Sequence, residues 1–328
     1  MQACMSNIEA NELVKRYADF TAVKGISFNV RQGEIFGLLG PNGAGKTSII
    51  NMLIGLARID GGEVHCGGLT YTQQVDGRVQ TLMGVVPDES NLYDEMTGLD
   101  NLVFCGALYS MAKPARIQRA QELIRLVGLT DHEDRLFRSY SRGMKRKLTI
   151  AAALMHRPNI LFLDETTTGL DVASAREIRS LIQDLNAAGT TVFLTTHYIE
   201  EAEQLCHRVA FLVGGRIVRT GTVTDLLRFD GGRTVVQLAL NQNAAQAARA
   251  LTAAIPDTEV EVLDETTVRV YGGERMNLIP YLTVLERFDQ QVFEAKVLKP
   301  SLEDVFLQET GLTTAAMRST NGGGRRST

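Results

Sequence analysis

The feature that most constrains this chain of 328 residues is a glycine-rich octapeptide, Gly40-Pro41-Asn42-Gly43-Ala44-Gly45-Lys46-Thr47. It fits the pattern G-x-x-x-x-G-K-[ST], in which glycines let successive backbone N–H groups curl around a phosphate chain. Lys46 adds a positive charge at the outer phosphates, and the Thr47 hydroxyl can reach Mg²⁺. The octapeptide therefore predicts a site for a phosphate-bearing nucleotide.

The residues on either side fit a strand, a loop and a helix in that order. Residues 34–39 form a short apolar run that suits a buried parallel strand. The run that starts at Ser48 and ends at Ile54 suits a helix whose N-terminus points at the phosphate. Residues 40–48 are accordingly interpreted as one phosphate-binding unit.

A second segment predicts the other half of the site. Residues 159–165 are an apolar strand that ends in two acids, Asp164 and Glu165. A carboxylate at a strand tip beside a P-loop can hold Mg²⁺, directly or through water. The acid that follows can orient and deprotonate a water for attack on the γ-phosphate. Asp164 is therefore a candidate metal ligand, and Glu165 a candidate general base.

Three further segments accompany these two. Residues 140–147 precede the acidic strand and begin like a capped helix, with Ser141 as the cap and Gly143 in the first turn. Such a helix start is a second anion-binding device. Residues 168–171 follow the strand, and His197 ends another β-branched run at residues 190–196.

The order of these five segments resembles the nucleotide-binding domain of ABC ATPases: Walker A, signature, Walker B, D-loop and switch histidine. The resemblance covers about residues 7–229. It implies an α/β P-loop NTPase fold with a helical subdomain at about residues 89–157, and it implies ATP and Mg²⁺. It also implies that Ser141 and Gly143 touch the γ-phosphate, that Asp171 belongs to the D-loop of the site, and that Tyr17 stacks on adenine.

The signature segment departs from the usual Leu-Ser-Gly-Gly-Gln of that family. Arg142 replaces the first glycine and Met144 replaces the glutamine, whereas Ser141 and Gly143 are kept. A basic residue at position 142 is similar to the branch of bacterial drug exporters that includes the daunorubicin-resistance ATPases. Thr166 replaces the proline that usually follows the catalytic glutamate.

Asp88 stands where the family usually has a glutamine that contacts Mg²⁺ and the attacking water. The resemblance makes Asp88 a candidate catalytic and metal residue. Hard cations prefer anionic oxygens, so a carboxylate could bind Mg²⁺ more strongly than an amide. The alternative is that Asp88 points into solvent or caps the next turn.

Composition excludes several other classes. The net charge is −4, and no block rich in Lys and Arg precedes the tail, so nucleic acid is not an expected partner. The four cysteines have no C-x-x-C spacing, which argues against a zinc site and a disulfide scaffold. Neither a stretch of about 18 apolar residues nor a secretory signal is found.

The rest of the chain predicts a smaller second domain at residues 233–309, after a linker at residues 230–232. Its predicted order, βαββαβα, suggests a ferredoxin-like α+β module. Helices are expected over residues 243–255, 276–288 and 301–309. Residues 299–306 resemble the tail motif of the drug-exporter ATPases, and residues 310–328 are expected to be disordered.

Two functional classes follow from the resemblance. The first is the ATPase subunit of an exporter, which works as a head-to-tail homodimer on the cytoplasmic face of the cell membrane, with a separate permease of about six membrane-spanning helices. The second is a soluble ABC ATPase that acts on ribosomes or DNA. Such proteins normally carry two cassettes or a long coiled coil, and neither is found here. A small-molecule kinase would lack the Ser141 and Gly143 segment.

Overall fold

The computed structural model describes residues 6–73, 75, 77–227, 234–255, 258–272, 276–298 and 301–311. These residues fall into two compact units, one up to Thr222 together with Glu309 onward, and the other from Val223 to Gln308. The predicted linker at residues 230–232 and residues 312–328 of the predicted disordered tail lie outside the described residues.

The described strands of the larger unit are numbered in chain order: β1 (Ser6–Tyr17), β2 (Phe20–Arg31), β3 (Ile35–Leu39), β4 (Gly61–Cys66), β5 (Leu69–Tyr71), β6 (Met83–Val86), β7 (Ile160–Asp164), β8 (Thr191–Thr196), β9 (Arg208–Val213) and β10 (Arg216–Thr222). Its helices are α1 (Lys46–Leu53), α2 (Gly77–Gln80), α3 (Gly98–Leu108), α4 (Lys113–Leu126), α5 (Arg142–Ala153), α6 (Val172–Ala187) and α7 (Ile199–Leu205).

The central sheet has the strand order β10-β9-β3-β8-β7-β6, and its neighbours are parallel except at the β9–β10 hairpin. Strands β3, β7 and β8 are buried along their whole length, as expected for parallel strands covered on both faces. The phosphate loop, Asp164 and His197 follow or end these three adjacent strands. Because carboxyl ends of parallel strands meet at one edge of the sheet, the predicted site residues converge there.

A second, antiparallel sheet has the order β2-β1-β4-β5. It shares a core with α1 and with the central sheet, in which Phe28 and Phe193 both pack against Phe36 at centroid distances of 5.7 Å. Nothing in the sequence motifs predicted this sheet, because its strands are long, irregular in register and only partly alternating.

Helices α3, α4 and α5 form the helical region between β6 and β7, with α3 packed on both α4 and α5. Thr97 caps α3 by accepting a hydrogen bond from the Asp100 backbone N–H. The fully buried Asn101 side chain holds the preceding loop, because it bonds the backbone N–H and carbonyl of Tyr93. These hydrogen bonds hold the loop that leads into helix α3.

The smaller unit contains α8 (Val223–Leu226), β11 (Thr234–Leu240), α9 (Ala244–Ala254), β12 (Glu259–Val262), β13 (Thr267–Gly272), α10 (Ile279–Arg287), β14 (Val292–Leu298) and most of α11 (Leu302–Thr310). Its antiparallel sheet has the order β12-β13-β11-β14, which is the strand order of a ferredoxin-like module. The predicted order of elements is therefore present.

Two of its helices are shorter than the sequence predicted. Helix α10 begins at Ile279 and not at Met276, because Pro280 is tolerated only in the first helical turn. Helix α9 begins after Asn243, whose side chain caps it by accepting from the Gln246 N–H. In the described part of the chain, no helix combines the length and the apolar character needed to cross a membrane.

Candidate active site

The loop between β3 and α1 has the backbone shape that its glycines predict. Gly43 and Gly45 have positive φ values of 79° and 109°, a region that other residues rarely adopt. Gly40 has no space for a side chain, since a Cβ would overlap the Leu212 carbonyl oxygen. The Ala44 N–H donates to the Pro41 carbonyl at 3.2 Å, which closes the turn. The loop therefore leads directly into the N-terminus of α1.

Lys46, the first residue of α1, is held inside this loop. Its side chain is only 5% exposed, and its Nζ donates to the carbonyl oxygens of Gly40 and Pro41 at 2.7 and 3.1 Å. The same Nζ lies 3.0 Å from Glu165 Oε1. The buried ammonium thus has three oxygen neighbours at the place where outer phosphates are expected.

Thr47 and Asp164, the two residues proposed as metal ligands, lie next to each other at the base of the site. The Thr47 hydroxyl donates to Asp164 Oδ2 at 3.0 Å, and the Thr195 hydroxyl donates to Asp164 Oδ1 at 2.5 Å. Hydroxyl and carboxylate oxygens are donors that Mg²⁺ prefers, so the pair fits that ion. No cluster of three or more His, Cys, Asp or Glu suited to a metal occurs among the described residues, so Mg²⁺ would need phosphate and water oxygens as well.

Both carboxylate oxygens of Glu165 contact neighbouring side chains, Oε1 that of Lys46 and Oε2 those of His197 and Thr168. Its carboxylate lies 2.5 Å from His197 Nδ1 and accepts a hydrogen bond from the Thr168 hydroxyl at 3.1 Å. Burial alone would raise the pKa of Glu165, but the hydrogen bond from His197 and the charge of Lys46 lower it to about 2. Its φ of 48° is unusual for a residue with a side chain. The residue is thus a fully ionised carboxylate on a sharp turn.

These groups line one open cavity of about 590 Å³. At its rim, Tyr17 is 46% exposed and its hydroxyl lies 3.4 Å from Ser48 Oγ, while Lys15 Nζ lies 5.1 Å from the centroid of its ring. The lining residues are Tyr17, Phe20, Ala22, Asn42, Gly43, Gly45, Lys46, Thr47, Ser48, Asp88, Asp164, Glu165, Thr168 and His197. The structure therefore brings together most of the predicted site residues.

Of the predicted loop residues, Gly40, Pro41 and Ala44 do not line this cavity. Outside the loop, Ser141, Gly143 and Asp171 do not line it either. Ser141 is exposed and caps α5 by accepting from the Met144 N–H. Asp171 caps α6 by accepting from the Ser174 N–H at 2.9 Å. In a single copy these residues start helices and do not contact the P-loop cavity.

Asp88 lies on the cavity wall, although 58% of its side chain is exposed. Arg146 donates to the backbone carbonyls of Pro87 and Asp88 at 2.6 and 2.7 Å, and its guanidinium is 3.7 Å from the Asp88 carboxylate. Burial raises the pKa of Asp88, Arg146 opposes this shift, and the nearby charge of Glu165 adds to it. The loop position is therefore fixed by an arginine from α5.

Sequence reasoning missed four residues that shape the site. Thr195 holds Asp164, Thr168 holds Glu165, Arg146 holds the Asp88 loop, and Phe20 lines the cavity beside Tyr17. Threonines at strand ends give little signal, because their β-branched side chains are common in any strand. The role of the Thr195 hydroxyl becomes visible only when β7 and β8 are paired in register, whereas Thr168 bonds a carboxylate three residues away in the turn after β7.

Comparisons with known proteins agree with this geometry. Residues 23–168 match the ABC transporter family. The chain is 37% identical to the linearmycin resistance ATP-binding protein LnrL of Bacillus subtilis, over 93% of this chain and 99% of that one. It is 39% identical to the daunorubicin/doxorubicin resistance ATP-binding protein DrrA of Streptomyces peucetius, over 93% and 92%.

Solved structures show the same fold. An ATP-binding cassette, solved as a dimer in a post-hydrolysis state bound to ADP and Pi, has a TM-score of 0.60 and 25% identity. The match covers 66% of this chain and 98% of the cassette.

The fold and the cavity define a P-loop ATPase with the cassette architecture. The chain belongs to the ABC transporter family, as an ATP-hydrolysing, ATP-binding protein of the drug-exporter branch.

Proposed function

We propose that this chain energises an exporter as a head-to-tail homodimer, docked on a separate transmembrane permease at the cytoplasmic face of the cell membrane. Each ATP would lie between the P-loop cavity of one copy and Ser141 and Gly143 of the other. The observation that carries the proposal is that Ser141 lies outside the P-loop cavity of its own copy.

Helix α5, which begins at the signature, has the properties needed to contact the γ-phosphate of ATP bound to a second copy. Helix α5 is 12 residues long, and its N-terminus presents free backbone N–H groups and the positive end of the helix dipole. Ser141 at its cap is exposed, whereas Gly143 is buried. Gly143 lies so close to Ser174 that a Cβ at this position would be 2.6 Å from Ser174 Oγ. An exposed helix start of this kind is suited to a γ-phosphate carried by a second copy.

Lys46 links nucleotide binding to catalysis. Its ammonium pairs with Glu165, and a carboxylate with a pKa of about 2 is a weak base. A phosphate chain offers Lys46 stronger negative charge, so ATP would draw the ammonium away from Glu165. The pKa of Glu165 would then rise, and the carboxylate would become a better acceptor for a proton from the attacking water.

His197 and Thr168 keep Glu165 in place during that exchange. Both contact Glu165 Oε2, at 2.5 and 3.1 Å, whereas Lys46 contacts Oε1. Loss of the Lys46 contact therefore frees one oxygen while the other stays fixed. Bound at Thr47 and Asp164, Mg²⁺ would supply positive charge that offsets the negative charge of the phosphates.

A second cavity, of about 410 Å³, offers a place for the permease. Leu56 and Tyr109 on its wall are large apolar side chains, 75% and 43% exposed, and together they offer apolar surface to a partner. Pro87 also lines this cavity, and its neighbour Asp88 lines the nucleotide cavity. A cytoplasmic segment of the permease seated here would lie one residue from the ATP site.

The proposal is tested by recovery of a membrane partner. A tagged Glu165→Gln chain, incubated with ATP and membranes of the source cell, is expected to co-purify one integral membrane protein of about six helices. The control is Glu165→Gln combined with Leu56→Asp, which should bind ATP equally and lose the partner. Equal recovery with the control, or recovery of no membrane protein, would contradict the proposal.

A further inference from the structure

Strand β14 lies at an edge of the sheet in the smaller unit. It pairs with β11 on one side, and no other described strand pairs with its outer side. Phe293 and Val297 are 72% and 51% exposed, although they are large and apolar. A strand edge of seven residues with apolar side chains is a template for pairing with another chain.

The opposite edge of the same sheet is protected in the usual way. Strand β12 is only four residues long and carries two negative charges, Glu259 and Glu261. Short length and charges of one sign discourage pairing between two copies of an edge, whereas β14 is longer and its two charges, Glu294 and Lys296, have opposite signs. The two edges therefore differ, and β14 is the one that is open to a partner.

The sequence of β14 is symmetric in chemistry about its central residue. It reads Val292-Phe293-Glu294-Ala295-Lys296-Val297-Leu298. From the centre outward in each direction, an ionisable residue comes first, acidic on one side and basic on the other, and two apolar residues follow. An antiparallel pair of two such strands, centred on Ala295, would place every residue opposite its chemical complement.

We infer that β14 pairs antiparallel with β14 of a second copy of this chain, about a two-fold axis at Ala295. Glu294 of each copy then faces Lys296 of the other, so the pair contains two opposite-charge contacts. Phe293 of each copy faces Val297 of the other. Directly opposite side chains in an antiparallel pair lie on the same face and interact, so both kinds of contact favour this register.

The pairing of β14 with β11 in its own sheet is regular along most of its length. Residues 294–298 pair regularly with residues 239–235 of β11. The register shifts at the next step, which leaves Phe293 without an opposite residue on β11. Such a bulge turns a side chain out of the ladder, in agreement with the exposure of Phe293. Glu294, Ala295 and Lys296 are regular in both copies and form the centre of the pair, while Phe293 of each copy packs against Val297 of the other at its two ends.

The consequence goes beyond the proposed function, in which ATP alone brings two copies together. A contact through β14 needs no nucleotide, so it would hold two copies together between rounds of hydrolysis. Tethered partners meet at an effective concentration of about millimolar, far above that of free subunits. The self-complementary patch also fits the two-fold symmetry of most homodimers.

Charge reversal on the full chain without nucleotide tests the pairing. By light scattering during gel filtration, the wild type is expected to be a dimer. Lys296→Glu or Glu294→Lys places like charges opposite each other twice, and should raise the dimer Kd by at least about tenfold. The double variant Glu294→Lys with Lys296→Glu recreates both pairs and should restore the dimer.

A matched control reverses the exposed Glu286 of helix α10 to Lys, and it should remain dimeric. Far-ultraviolet circular dichroism of each variant separates lost pairing from lost folding. The inference is overturned if the nucleotide-free wild type is a monomer, or if the double variant is as monomeric as the folded single variants.

Disulfide cross-linking tests the register itself. Opposite Cα atoms in an antiparallel pair are about 4.5–5.5 Å apart, which suits a disulfide. Ala295→Cys should therefore form a covalent dimer on mild oxidation. Lys296→Cys is the control, since its two copies would lie diagonally, about 7–8 Å apart. The oxidised wild type measures any background from native thiols, including Cys105. Equal cross-linking of the two variants would refute a two-fold axis at Ala295.

Discussion

The P-loop cavity and the signature helix are built in opposite ways. In the cavity, each charged group already has partners: Lys46 contacts three oxygens, and Glu165 contacts Lys46, His197 and Thr168. At the signature, the exposed Ser141 only caps its own helix. The charged groups of the cavity thus contact one another within one copy, whereas we propose a role for the signature only against a second copy.

In the proposed head-to-tail dimer, this difference would make catalysis depend on assembly. In the proposed mechanism, the ion pair between Lys46 and Glu165 would keep the base weak until nucleotide competes for the ammonium. In the proposed dimer, ATP would open that pair, and the helix start of a second copy would add a second helix dipole on the far side of the γ-phosphate. Perturbing the cavity should therefore affect chemistry, and perturbing the signature should affect association.

The largest effect is expected for Glu165→Gln. Glutamine keeps the shape and can bond His197, but it cannot accept the proton of the attacking water. Steady-state ATP hydrolysis should fall by about a hundredfold to ten-thousandfold, the usual contribution of a general base. Equilibrium titration with a fluorescent ATP analogue should show ATP binding retained. Hydrolysis near the wild-type rate would remove Glu165 from the catalytic role.

The second prediction concerns the signature half. Ser141→Arg places bulk and positive charge where the γ-phosphate of a second copy must dock. In a Glu165→Gln background, ATP should still bind to the cavity, but the head-to-tail contact should be lost. Cross-linking between cysteines placed in the P-loop of one copy and the signature of the other would report this contact, even if the copies remain joined elsewhere.

The matched control for that experiment is Ser139→Arg, two residues earlier on the exposed surface. It adds the same bulk and charge without touching the helix cap. If Ser139→Arg and Ser141→Arg lower the cross-linking yield equally, the effect is general charge repulsion, and the signature is not the second wall of the site.

A smaller effect is expected for Thr195→Val, which removes the hydroxyl that donates to Asp164. Valine keeps the shape and the strand preference of threonine. Residues that orient a metal ligand typically change metal affinity by about tenfold to a hundredfold, so the Mg²⁺ midpoint of hydrolysis should rise by about tenfold. Thr191→Val in the same strand, whose hydroxyl bonds Asn7 instead, should leave that midpoint unchanged. A shift in both variants would indicate a weakened strand.

The same contrast shows what the sequence could predict. The cavity half was predictable, because the glycine pattern and the strand-ending acids at Asp164 and Glu165 encode their chemistry locally. The contacts of Thr195 and Arg146 were not, because they depend on strand register and helix packing over 31 and 58 residues of separation. The start of α10 was placed too early, since the apolar pattern continues before Pro280 while the backbone does not.

Asp88 gives the smallest and most specific effect. Its carboxylate lies on the cavity wall with Glu165 and Asp164, and their charges disfavour its ionised form. Bound Mg²⁺ would relieve this repulsion, so nucleotide binding by the wild type should depend steeply on Mg²⁺. Asp88→Gln removes one exposed charge, and a charge pair at contact distance in water is worth about 1 kcal/mol. The gain in nucleotide affinity on adding Mg²⁺ should therefore be about fivefold smaller in this variant than in the wild type, while hydrolysis continues.

The control for Asp88 is its neighbour, Glu89→Gln, which removes the same charge from an exposed side chain that does not line the cavity. Because Arg146 holds the Asp88 backbone through carbonyl oxygens, neither substitution should move the loop. A shift confined to Asp88→Gln would place the carboxylate at the metal. Identical Mg²⁺ titrations for the wild type and Asp88→Gln would mean that the side chain faces solvent, and that the loop acts through its backbone alone.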